Sequence, residues 1–111
     1  MKTLPLDNDW EALWPFTRHN TSTGILEAAA GLVGLTARLS ATDGGAAIHA
    51  NLSVSILERA STPGEYFGII QGDDLRTHLA AYIGKVIWEV VGDGTNVFIS
   101  EARRVRERRR A

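Results

Sequence analysis

At 111 residues, 44% of them hydrophobic and 23% charged, the chain has one domain's length and an ordinary globular composition, outside the polar, highly charged range of disordered chains. No apolar run approaches the roughly 18 to 20 residues that span a bilayer, and the N-terminus lacks a signal peptide's apolar core, so a soluble, unprocessed protein is expected. With no cysteine, a disulfide framework, a thiolate metal site and a cysteine nucleophile are all excluded.

The formal net charge of −1 conceals a division. Residues 1–102 hold six basic and twelve acidic side chains, for −6, and residues 103–111 hold six arginines and one glutamate, for +5. Such asymmetry points to interaction through the tail, with another protein or with the chain's own acidic body.

Three segments are expected: an arm and linker over 1–23, a β domain over 24–102 and an arginine-rich tail over 103–111. Within the arm, "LDNDWEALW" lies between Pro5 and Pro15. It has helical spacing of Trp10, Leu13 and Trp14 behind the caps Asp7 or Asn8. Two helical turns do not stand alone in water, so the aromatic face of Trp10, Trp14 and Phe16 packs on its own domain or docks into a neighbour.

From Gly31 onward the period is two. Leu35, Ala37, Leu39 and Ala41 alternate with polar residues up to the turn Asp43-Gly44-Gly45, and Ile48 to Ile56 alternate again before the phase breaks at Leu57. Pro63-Gly64 suits a type II turn ahead of a strand over 66–70. Leu75, Leu79 and Tyr82 behind Asp73 and Asp74 read as a short helical bridge. Strands at 85–91 and 97–102 flank Asp93-Gly94 as a hairpin. Short strands with glycine turns, and no alternation with full helices, give a mainly β fold: a small antiparallel sandwich or barrel.

Little in the sequence points to catalysis. His19, His49 and His78 are each about 30 residues apart, with no ligand partner at metal spacing on the same element. Asp73 and Asp74 read as helix-start residues, the glycines as turns, and the serines lack a nucleophile elbow. No enzyme, metal, cofactor, small-molecule substrate or membrane contact is expected. The chemistry on offer is the tail, where Arg103, Arg104, Arg106, Arg108, Arg109 and Arg110 suit an acidic groove of a partner protein, with nucleic-acid phosphate as second choice.

The stretches "LTARLSATDGG", "TPGEYFGIIQGDDL" and "GKVIWEVVGDGTNVFISEARRV" carry a resemblance. Over Gly34 to Val105 the chain resembles the small immunoglobulin-like β-sandwich domains of tailed-bacteriophage virion proteins, such as the N-terminal domain of upper baseplate proteins and related neck and tail components. The resemblance implies a non-enzymatic structural subunit, made in the host cytoplasm and carried in the virion. Such a subunit repeats around a symmetric ring, tube or shell, and its partners are other virion proteins and copies of itself. A capsid decoration protein of similar fold is the nearest rival, followed by a small nucleic-acid-binding protein using the arginine tail.

Overall fold

The structure, a computed structural model, describes residues 2–6 and 8–107. Period-two patterning organises it, and the fold is mainly β and sandwich-like. One sheet has five strands, in the order β1 (Lys2–Pro5), β10 (Val97–Arg106), β9 (Val86–Gly92), β5 (Thr36–Ser40) and β6 (Ser53–Ser55). A second has three, in the order β2 (Trp10–Pro15), β8 (Thr62–Ile70) and β7 (Leu57–Arg59). A separate hairpin pairs β3 (Thr17–His19) with β4 (Leu26–Ala28), and the helix α1 (Gly72–Leu79) bridges β8 to β9. The β1–β10 pairing is parallel; the other strand pairings described are antiparallel.

The core lies between the two main sheets. Leu4, Ala37, Leu39, Ile87, Val91 and Val105 project from the larger sheet, and Trp10, Ala12, Tyr66 and Ile70 from the smaller; Leu75 and Leu79 of α1 join them. On the far side of the larger sheet, the loop after β5 covers Ser40 and Val90. Arg38 Nε donates to the Gly45 carbonyl at 2.7 Å, and the Gly44 N–H donates to Ser100 Oγ at 2.9 Å. Tyr66 is fully buried; its hydroxyl donates to the Ala29 carbonyl and accepts from the Leu32 N–H at 3.0 Å. Tyr66→Phe orphans both backbone groups and is expected to cost about 2 kcal/mol, read from urea unfolding midpoints.

The segment expected to be a short helix is instead the strand β2. Six consecutive residues pair with β8, and alternation buries Trp10 and Ala12 while leaving Glu11 and Leu13 outside. A two-turn helix offers too little local stability to compete with that pairing. The residues assigned to an arm therefore belong to the domain: β1 and β2 enter the two sheets and bring Leu4, Leu6, Trp10 and Ala12 into the core. Of the proposed caps, Asp7 lies outside the described residues. The tail boundary also shifts, because β10 continues through Arg103, Arg104 and Val105 to Arg106.

Three local readings change. Ala50–Leu52 form a 3-10 turn before β6, because His49 Nδ1 accepts the Asn51 N–H at 3.1 Å and caps it. The phase break at Leu57 marks where the chain leaves the larger sheet for β7 in the smaller. The reversal after β7 falls at Ala60 and Ser61, and Pro63, Gly64 and Glu65 form an irregular bulge in β8 opposite the Glu58–Arg59 step. Glu58 holds that bulge by accepting the Gly64 N–H at 2.9 Å and the Gly31 N–H at 3.1 Å, and these two bonds lower its pKa. A depressed folded pKa adds stability above the unfolded value that is lost as pH falls through the folded one. Acid is thus expected to lower the amide protection factors of Gly64 and Gly31, with the change absent in Glu58→Gln.

Prolines guard two sheet edges. The Leu6 N–H donates inward to the Arg106 carbonyl at 3.0 Å, and the Phe16 N–H donates to the Gly64 carbonyl at 2.9 Å. Alternation then turns the backbone nitrogens of Pro5 and Pro15 toward the open edges of β1 and β2, where a missing donor blocks further strand pairing.

Candidate functional site

Strand alternation splits the arginines of β10. Arg103 shares the inward face with buried Val105, and Arg104 and Arg106 take the other face. Arg103 Nε pairs with Glu89 Oε1, and its Nη2 reaches Glu101 Oε2 at 2.7 Å. Glu89, only 5% exposed, accepts the Trp10 Nε1–H at 2.8 Å on its other oxygen. This Trp10–Glu89–Arg103 brace ties β2 of one sheet to β9 and β10 of the other. Burial raises the Glu89 pKa, against the opposing effects of the Arg103 charge and the Trp10 hydrogen bond. It flanks a polar cleft of about 610 Å³ lined also by Thr3, Asn8, Asp9 and Glu11.

Two of the expected docking residues are thus consumed inside the molecule: Trp10 is core, and Arg103 is a buried ion-pair member. Trp14 is half-buried, with its indole nitrogen buried and without a hydrogen-bond partner among the described residues. Phe16 is also half-buried, edge-on to Tyr66 and Phe98 at 5.6 and 6.1 Å between ring centres. Arg104 is exposed and donates to the Gly84 carbonyl at 2.9 Å; Arg106 is half-buried. Arg108, Arg109 and Arg110 lie outside the described residues.

Folding creates juxtapositions that the sequence conceals. His49 and His78 stack in parallel with ring centres 3.7 Å apart, as α1 packs beside the 3-10 turn at Ala50–Leu52. Asp9 Oδ1 accepts the Gly72 N–H at 2.7 Å, so the start of α1 is capped from the β1–β2 connection. Asp73 and Asp74 occupy its first turn, where they complement the helix dipole. Among the described residues no three His, Asp or Glu side chains converge as a metal-binding group.

The outer face of the smaller sheet is the largest feature missed in the sequence. Phe67 on β8 stands directly between Leu13 on β2 and Leu57 on β7, and Ile69 follows beside Glu11. Leu57 is 71% exposed, Leu13 45% and Ile69 39%. The signal was present in "EYFGII", where both alternating sets are rich in apolar residues, as in a strand covered on two sides.

No family model matches the chain, and neither a curated protein nor a solved structure matches it.

Proposed function

We propose that this chain is a non-enzymatic structural subunit of a tailed-phage virion, of the neck or tail, which joins its neighbours through exposed surfaces. One observation carries the reading. The buried carboxylate Glu89 is engaged on both oxygens in bracing the fold, whereas the exposed surface carries an apolar row across a sheet and a cationic strand end. Exposed apolar surface of this kind suits protein contacts.

Deletion of the gene in a phage that carries it is the test. Unjoined heads and tails, restored by the intact gene, are expected; complete, infectious particles would contradict the proposal. A capsid decoration role would instead leave joined particles whose shells fail under heat or osmotic stress.

Phosphate binding is the second reading. It is favoured by the exposed Arg104 and the half-buried Arg106 on the same face of the larger sheet as half-buried Trp88. Duplex binding that weakens steeply with salt and falls sharply in the double variant Arg104→Ala, Arg106→Ala would support it.

A further inference from the structure

The outer face of the smaller sheet carries an inference that rests on the assembly reading and names one partner. From the register, three rows cross this face: Glu11 beside Ile69, then Leu13–Phe67–Leu57, then Pro15 beside Glu65, with Arg59 at the far corner on β7. Arg59 pairs with Glu65 at 3.4 Å and is itself about half exposed. The charges sit at opposite corners, Glu11 on one and Arg59 on the other, with the apolar row between them.

We propose that this face packs against the same face of a second copy, with strands crossing near a right angle about a two-fold axis through Phe67. Charge decides the occupant and the angle. A crossing near 90°, one of the two preferred modes of sheet packing, turns Glu11 onto Arg59 of the second copy. It also sets Ile69 on Leu57 and Phe67 on its own mate. Leu13 then lies beside Glu65, whose carboxylate keeps its pairing with Arg59; aligned packing instead lays Glu65 on its own mate or on Ile69 and brings Glu11 to no opposite charge. The pairing is isologous, so the Glu11–Arg59 contact forms twice and the dimer closes. Three strands about 4.8 Å apart make a face smaller than the ~800 Å² per partner of a standard interface. The isolated contact is therefore weak and concentration-dependent, and gains strength where subunits repeat in an array.

Sedimentation velocity on the full chain over a dilution series tests this, with circular dichroism confirming that each variant folds. A reversible monomer–dimer equilibrium is expected, weakened about tenfold or more by Leu57→Asp, a surface change that places charge in the apolar row. Glu11→Arg and Arg59→Glu should each weaken it alone, and an equimolar mixture of these two variants should restore association through heterodimers. A monomer at every concentration overturns the interface, as does a dimer indifferent to Leu57→Asp or a mixture that fails to associate. A chain that self-associates but ignores Leu57→Asp overturns this interface and leaves the assembly reading standing. Dimerisation as described by a chain that phage particles do not need overturns the assembly reading alone.

Discussion

Arg103→Ala is expected to destabilise the domain by about 3–5 kcal/mol, the range for stripping one partner from a buried ion pair. Both side chains are largely buried, so little solvent screening softens the loss. Removal of the guanidinium leaves Glu89 charged between the sheets with only the Trp10 N–H to solvate it. The sign of its pKa shift is informative: burial outweighs Arg103 and Trp10, so the folded state holds the Glu89 proton more tightly than the unfolded chain does. For a group raised in this way, its stability contribution is complete below the unfolded pKa and declines as pH rises through the folded one. The penalty for Arg103→Ala should accordingly be largest at neutral pH and shrink in acid, where a protonated Glu89 needs no cation. Leucine at both Glu89 and Arg103 should recover part of the loss, since apolar replacement of a buried pair is often neutral or stabilising, while the Trp10 N–H loses its acceptor. Urea midpoints at several pH values read all of this. An unchanged midpoint in Arg103→Ala would instead return Arg103 to the set of docking residues.

Gly64→Ala is expected to cost about 2–5 kcal/mol, from two separable sources. Gly64 has φ of +87°, a left-handed conformation that costs a residue with a Cβ roughly 1–2 kcal/mol. The new Cβ would also lie 2.6 Å from Ala28 Cβ and 3.1 Å from Ala28 Cα, adding about 1–3 kcal/mol of overpacking. The site is the junction where the bulge of β8 meets the base of the β3–β4 hairpin, so neither backbone can move alone. Gly24 separates the sources. It has φ of +72° and open space around its Cβ position, so Gly24→Ala should show the conformational cost only.

Legibility from sequence followed the range of the interactions. The β9–β10 hairpin was readable because its signal is local: Asp93 accepts the Thr95 and Asn96 N–H groups, which lowers its pKa and fixes the loop around Gly94. Strand β5 and helix α1 were readable for the same reason, as each repeats a single period over its own length. The N-terminal strands were not. Trp10, Leu13 and Trp14 fit a helix locally, and the residues that overrule it, Tyr66 to Ile70, lie more than fifty positions away. The role of Arg103 was hidden in a run of arginines, because alternation assigns it inward only once Val105 is known to be core. The outer apolar face required the register of three strands, which periodicity within one strand does not supply.

Quantitative mass spectrometry of purified particles, from a phage that encodes this chain, tests the proposed role most directly. A structural subunit should be present at a fixed whole-number ratio to the other structural proteins, and Leu57→Asp should lower its incorporation while the purified variant remains folded. Absence of the chain from particles that are complete and infectious would contradict the proposal.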